Sequence, residues 1–381
     1  MKKKCPNCWK ESIFQTLVFV KKSPLLNNVV YKTKTEALKS PVGSNQLVQC
    51  LFCNFVFNCI FKDELICYNE YYNSDRSYSK VYNTYVSELS VKISSHIKEA
   101  GTILEVGCGN GDFLYRICSE KPVFGVGIDN AYCGKYSNSR KLMFFKKHVD
   151  FQDFSKPFSV ILMRHVLEHI PQPFLFLKNA VESNSVAEGT RIWIEVPDLR
   201  WILKNKTFFD ITYEHCNYFS KESLTYLLLS LGFEIKSVEN IYDQQYLLAH
   251  AIYGGVKKPI QNSRYPSLGD AFKDLLNRKT QISELITKNK NMCIWGGSGK
   301  GVLLLSHLTQ KIRNKIKCVI DINHDKQGKY LPYSGMRIHP PESLLAFQKV
   351  NIPILIMNDI YQSEIEMKLR ELKVQFKVYS V

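Results

Sequence analysis

The chain has 381 residues, 45% of them hydrophobic and 12% aromatic, which suits two or three packed domains and excludes intrinsic disorder. No apolar run approaches a membrane span, and Met1-Lys-Lys-Lys-Cys-Pro lacks the apolar segment of a secretory leader, so a cytoplasmic protein without membrane insertion is expected. A formal charge of +16 suits polyanionic partners such as nucleotide diphosphates, nucleic acid or a lipid surface, and a lysine-rich coding background accounts for it equally well; the longest basic run, Lys2-Lys3-Lys4, argues against a nucleic-acid tail.

Cys5-Pro-Asn-Cys8 and Cys50-Leu-Phe-Cys53 are two CxxC knuckles separated by 41 residues. Four thiolates fill the tetrahedral shell of one zinc and leave no open position, so a structural Zn2+ on Cys5, Cys8, Cys50 and Cys53 is expected. Cys59 and Cys67 remain as packed thiols. A β-rich zinc-binding module is placed at 1–65. Residues 66–100 begin with the tyrosine-rich Tyr68-Asn-Glu-Tyr-Tyr-Asn-Ser-Asp-Arg-Ser77 and continue as a helical pattern.

Ile103-Leu-Glu-Val-Gly-Cys-Gly-Asn-Gly-Asp-Phe-Leu114 joins an apolar strand ending at Glu105 to a helix beginning at Asp112. Gly107, Gly109 and Gly111 allow the sharp turn and bare backbone N–H groups toward a ligand. The spacing departs from the dinucleotide Gly-x-Gly-x-x-Gly pattern. It resembles motif I of the class I S-adenosylmethionine (SAM) methyltransferases, in which the turn packs under the methionine part of the cofactor. Phe124–Ile128 is a second strand ending in Asp129, a carboxylate placed for a ribose diol. Val160-Ile-Leu-Met163 then precedes Arg164-His-Val-Leu-Glu-His-Ile-Pro171, which resembles the fourth strand and following helix of that fold. The resemblance implies a cofactor site of Glu105, Gly107, Gly109, Gly111, Asp129, Arg164 and His165. In such enzymes the segment before motif I covers the cofactor, which would bring Tyr71, Tyr72 or Ser77 to the site.

Ile192-Trp-Ile-Glu-Val-Pro-Asp198 is the next strand. The loop Phe208-Phe-Asp-Ile-Thr-Tyr-Glu-His-Cys-Asn-Tyr-Phe-Ser220 gathers Asp210, Tyr213, Glu214, His215 and Tyr218 at the C-terminal edge of the sheet, where open α/β folds bind ligands. Residues 256 to about 290 are polar and helix-rich, as a linker would be. A second α/β unit opens at Met292-Cys-Ile-Trp-Gly-Gly-Ser-Gly-Lys-Gly-Val302, with Cys318-Val-Ile-Asp321 and Ile354-Leu-Ile-Met357 as further strands. Its glycine loop is not a Walker A loop; the expectation is a phosphate cradle at a helix N-terminus, with Gly297 and Lys300 binding substrate and Asp321 available to a ribose diol.

The arrangement resembles the three-part sugar C-methyltransferase family: a four-cysteine module, a SAM core carrying "EH…YFS", and a C-terminal Rossmann-like domain whose signature is matched by Asp321-Ile-Asn-His-Asp-Lys-Gln-Gly-Lys-Tyr-Leu-Pro332. The resemblance spans nearly the whole chain and implies a class I methyltransferase core at 66–255 and a substrate-binding Rossmann-like domain at 256–381, both α/β. It implies a nucleotide-linked keto-deoxysugar as substrate, in surface-polysaccharide or antibiotic-type sugar synthesis. It makes His215 the base that removes a proton next to the ketone, with Glu214 and Tyr213 orienting it or holding the enolate, and Tyr72 and Tyr218 contacting substrate. Where the family reads Tyr-His-Glu-His, this chain has Thr212-Tyr-Glu-His215, which keeps O- or N-methylation of a similar sugar as the alternative. An RNA methyltransferase fits less well, because Arg164-His165 stands where base-directed enzymes carry Asn/Asp-Pro-Pro-Tyr.

Overall fold

The computed structural model describes residues 3–68, 71–97, 101–256, 264–289, 291–350 and 352–381. Among them, no helix is long and apolar enough to cross a membrane. Near the N-terminus, β1 (Phe14–Pro24), β2 (Val42–Cys50) and β3 (Val56–Asn58) form an antiparallel sheet. The two cysteine knuckles beside it turn alike. Trp9 and Asn54 each take a left-handed conformation (φ +57 and +59), and their N–H groups close on Cys5 O and Cys50 O at 2.9 Å.

The middle of the chain builds a seven-stranded sheet. Its strands are β4 (Thr102–Val106), β5 (Phe124–Ile128), β6 (Leu142–Phe145), β7 (Val160–Arg164), β8 (Arg191–Pro197), β10 (Phe233–Ile241) and β11 (Tyr246–Tyr253), in the order β10-β11-β8-β7-β4-β5-β6. The five strands from β6 to β8 run parallel, and β11 is antiparallel to both its neighbours. Apolar runs such as Val160-Ile-Leu-Met163 are buried on both faces, as a parallel sheet between helices requires. Helices α1 (Lys80–Ser94) and α2 (Asp112–Glu120) cover one face. This is an open α/β sheet with an antiparallel strand near one edge, and a β-rich cysteine-bearing region precedes it.

The C-terminal part is a five-stranded parallel sheet, β14-β13-β12-β15-β16, built from β12 (Met292–Trp295), β13 (Ile316–Ile320), β14 (Ile338–His339), β15 (Ile354–Ile356) and β16 (Val378–Ser380). Two sequence expectations change here. The helix-rich stretch expected to be a linker contains α3 (Gly269–Lys288), but it is packed: its Phe272, Leu275, Ile282 and Ile286 are buried in one cluster with Val18, Val20, Leu199 and Ile202. Its apolar residues recur at helical spacing, so it has a core-facing stripe, and a free linker would have none. Residues 257–263 and 290 of that expected linker lie outside the described residues. The N-terminal sheet is also not self-contained. The short strand β9 (Asn217–Tyr218), from the loop that carries His215, pairs antiparallel with β3 and completes it.

Candidate active site

The strand-to-helix turn after β4 sits at the C-terminal edge of the central sheet. Gly107, Gly109 and Gly111 have φ of +71, +54 and +84, a region that side chains avoid. Their surroundings differ. A Cβ on Gly107 would meet Val166 Cγ2 at 2.4 Å, and one on Gly111 would meet the Phe144 ring at 2.6 Å, whereas one on Gly109 would meet nothing within 4 Å. Gly109 therefore faces open space that a ligand can fill. Gly111 caps α2 and packs on β6, so it serves the turn and does not line the cavity, a correction to its expected ligand contact. Asp129, at the tip of β5, accepts the Gly109 N–H at 2.9 Å and the Ala131 N–H at 2.7 Å while also lining the cavity.

Glu195 is the hub of the floor, and sequence reasoning passed over it. It is fully buried on β8, 2.6 Å from Arg164 Nε and 2.9 Å from His165 Nε2, and it accepts the Tyr85 hydroxyl at 2.6 Å. Burial alone would raise its pKa, but Arg164 and then His165 hold it well below the usual carboxylate range. Burial likewise would lower His165, and Glu195 and Glu168 hold it up at about 9. Burial pushes the neighbouring Glu105 up to about 8 against the pull of Arg164. The available signal for Glu195 was a lone carboxylate inside the apolar Ile192-Trp-Ile-Glu-Val; such a group is not buried without partners. Glu105 Oε2 and Arg164 Nη2 are buried and lack hydrogen-bond partners among the described residues. An orphan acceptor and an orphan donor beside a glycine turn with free space suit the amino-acid end of SAM, so the cavity residues Glu105, Gly107, Gly109, Asp129, Arg164 and His165 fit that cofactor.

Across the cavity, the loop before β9 places His215 beside Glu168 and His169. One donor atom from each lies within 4.8 Å of the other two. The two imidazoles meet edge-on with centroids 4.9 Å apart. His169 Nδ1 lies 2.9 Å from Glu214 O and 3.1 Å from the Tyr68 hydroxyl. Burial, followed by His169, lowers His215 to about 3, so its imidazole is neutral near pH 7. Glu214 is buried; its carboxylate accepts the Tyr72 hydroxyl at 2.9 Å and the Asn27 N–H. Glu214, His215 and Tyr72 all line the cavity.

Tyr213 and Tyr218 do not. Tyr213 is 1% exposed, its ring lies against Phe61, and its hydroxyl is bonded to the Lys62 backbone. Tyr218 spends its hydroxyl on the Thr212 backbone. Phe61 and the Lys62 backbone hold the Tyr213 ring inside, and the pairing of β9 with β3 and the Thr212 backbone hold Tyr218, so neither is at the cavity where it was expected.

On the C-terminal side, Lys300 Nζ is 2.5 Å from Asp210 Oδ2 and 4.9 Å from the Trp201 ring centroid, and it lines the cavity. Gly297 does not line it. Its N–H donates to Asp321 Oδ2 at 2.9 Å, and Asp321 also accepts from Ser298 Oγ and the Asn323 N–H. Asp321 thus fastens the glycine loop while also lining the cavity, as Asp129 does at the first glycine turn. Lys326, 2% exposed, donates to Ser298 Oγ at 2.7 Å and was not anticipated.

The cysteine group lies apart, in the cluster on the face of the central sheet opposite α1 and α2. Cys5, Cys8, Cys50 and Cys53 are all buried with their Sγ atoms within 4.8 Å of one another, and Cys5 and Cys53 are 3.7 Å apart. Tetrahedral Zn–S bonds imply a sulfur–sulfur edge of about 3.8 Å. Four thiolates this close repel one another unless a cation lies between them. The set is compatible with zinc.

Residues 74–238 match a family model described as a methyltransferase domain, and residues 226–375 match one described as a C-methyltransferase C-terminal domain. The fold is also similar to magnesium protoporphyrin IX methyltransferase from Synechocystis PCC 6803 with bound SAM (13% identity, 52% of this chain and 100% of that one, TM-score 0.38). It is similar to 1,6-didemethyltoxoflavin-N1-methyltransferase from Burkholderia thailandensis (14% identity, 46% and 81%, TM-score 0.37). No curated protein matches.

Proposed function

We propose that this SAM-dependent methyltransferase, with its C-methyltransferase C-terminal domain, methylates the carbon next to the carbonyl of a nucleotide-linked keto-deoxysugar. The observation that carries the proposal is a neutral, cavity-lining His215 set between Glu168 and His169 and beside the Tyr72–Glu214 pair. A carbon next to a carbonyl becomes nucleophilic only after losing a proton, and an unprotonated imidazole can take it. His215 removes that proton as the C–H bond breaks. The electron pair moves into the carbonyl as an enolate, the carbon nucleophile that a bound methyl donor would alkylate, the donor's sulfur keeping the bonding pair. SAM supplies the electrophilic methyl group. The enolate charge beside His215 raises its affinity for the proton, which offsets its low starting pKa. Tyr72 holds Glu214, whose backbone carbonyl positions His169 against His215. Glu105, Gly107, Gly109, Asp129, Arg164 and His165 bind the donor, and the glycine loop with Lys300 faces the substrate.

The division that accompanies this function is a structural zinc module at 1–65, a methyl-transfer core at 66–255 and a substrate-side domain at 256–381, in a cytoplasmic enzyme. The test is mass spectrometry of the protein with a panel of nucleotide-linked 4-keto sugars in D2O, with and without SAM. Exchange of one carbon-bound hydrogen without SAM, lost in His215→Asn while S-adenosylhomocysteine (SAH) still binds, is the expected result. Methyl found on oxygen or nitrogen, without exchange, replaces this function with O- or N-transfer to a related sugar.

A further inference from the structure

Arg76 and Lys326 face the cavity and have no ion-pair partner among the described residues. Arg76 lies on the segment that precedes α1. Its Nη1 donates to the Tyr246 hydroxyl at 2.7 Å, and its guanidinium carbon sits 4.3 Å from the Tyr82 ring centroid. Lys326 comes from the C-terminal domain, and its Nζ donates to Ser298 Oγ. Neither forms an ion pair among the described residues, although Arg76 and Lys326 both line the cavity. Lysine and arginine held away from water are ordinarily paired.

The two are held near each other. Asn323 Nδ2 lies 3.3 Å from Asp75 O and 3.3 Å from Asn73 Oδ1, and the Lys326 N–H closes on Asn323 O at 3.0 Å. Ser79 Oγ donates to Glu364 Oε2 at 2.7 Å, fixing the other end of the same segment to the C-terminal domain. Ser298, the partner of Lys326, is also the N-cap residue of the nine-residue helix α4 (Gly299–His307); the Gly301 N–H closes on Ser298 O at 2.8 Å, and the N–H groups of Gly299 and Lys300 precede any intrahelical acceptor. Charges facing this lysine come from several elements: burial lowers its pKa first, Asp321 and Asp75 oppose that, and Arg76 adds to it. Lys300, the cation expected from the glycine loop itself, is already neutralised by Asp210.

We propose that Arg76 and Lys326, with the first turn of α4, are the receptor for the diphosphate of the substrate. Two cations from opposite walls of one cleft and a helix N-terminus supply charge-assisted donors to two phosphoryl groups. The segment that carries Arg76 is tied to the C-terminal domain by Asn323 and Glu364, which keeps the two cations on one cleft. This rests on the nucleotide-linked substrate proposed above but not on the atom that is methylated.

Calorimetric binding of inorganic pyrophosphate and, separately, of SAH to the full chain tests it. Arg76→Gln and Lys326→Met each weaken pyrophosphate binding about 10- to 100-fold, the loss expected for a charged hydrogen bond. Arg76→Lys loses less because it keeps the charge. SAH binding stays within about twofold throughout, which also reports that the cleft is folded; if Lys326→Met fails to fold, the two Arg76 variants carry the test. Pyrophosphate affinity unchanged in Arg76→Gln overturns the proposal. So does a loss confined to SAH, which would make Arg76 the partner of the donor's carboxylate. A failed deuterium exchange with intact pyrophosphate results would count against C-methylation alone.

Discussion

Glu195→Gln removes one charge and almost no volume from the floor of the cavity. The wild-type carboxylate is fully buried and answers three partners at 2.6 to 2.9 Å: Arg164, His165 and Tyr85. A glutamine offers one oxygen and turns an amide N–H₂ toward groups that are themselves donors. Removing one member of a buried ion pair costs about 3–5 kcal/mol, because the remaining charge is left unpaired. His165 can shed its proton once Glu195 is gone, which draws the cost toward about 3 kcal/mol; Arg164 cannot. Against a typical stability of about 5–15 kcal/mol, this is readily measured by urea denaturation. The pH dependence gives a second readout. His165 is raised from its ordinary 6.5 to about 9, so it binds its proton more tightly when folded. Its contribution is fully present below about pH 6.5 and is lost as pH rises through 9. The shift of 2.5 units corresponds to roughly 3 kcal/mol, and partial exposure of the ring reduces that to about 2. The gap between wild type and variant should therefore narrow by about 2 kcal/mol between pH 6 and pH 10. A gap below about 1 kcal/mol at pH 7, or one that does not change with pH, would refute the account of this hub.

Gly301→Ala and Gly109→Ala should separate folding from binding. A Cβ at 301 would sit 1.9 Å from Gly296 O, against backbone that cannot step aside, so a loss of about 3 kcal/mol in thermal or urea unfolding is expected. At 109 the space is open and only the φ of +54 is penalised, at about 1–2 kcal/mol, while SAH affinity falls at least about tenfold; unchanged SAH binding would show that the cofactor lies elsewhere. Cys53→Ser should abolish retained zinc in elemental analysis and lower the melting temperature, and a wild-type protein carrying well under one zinc per chain would dismiss the metal. The rate of methyl transfer should hold level from pH 8 down to pH 5 as far as His215 is concerned, since its pKa of about 3 keeps it unprotonated there. A histidine at its ordinary pKa would be about 30-fold less available at pH 5, and a fall of that size would show that the base is not held down in this way.

Sequence alone carried the elements whose cause is local. The glycines at 107, 109 and 111 are legible because left-handed backbone selects glycine wherever it occurs. The strands of the central sheet are legible as apolar runs, since burial on both faces leaves no room for polar residues. The four cysteines are legible because a tetrahedral shell needs two close pairs. What followed from chain contacts distant in sequence was not legible. The contacts that hold Tyr213 and Tyr218 inside, with Glu214 and His215 left on the cavity, come from Phe61 and from strand β3, some 160 residues earlier. The partners of Glu195 come from α1 and β7, and the spacing of charges along one strand holds no record of them. Of the two groups that the glycine loop advertised, Lys300 is already paired with Asp210, and Asp321 fastens the loop while lining the cavity. Lys326 and Arg76 have no carboxylate partner among the described residues, and no local pattern marks either. Backbone geometry is written residue by residue, so sequence determines it; which charge is satisfied and which remains free depends on what the whole chain folds against it, and only the tertiary structure decides that.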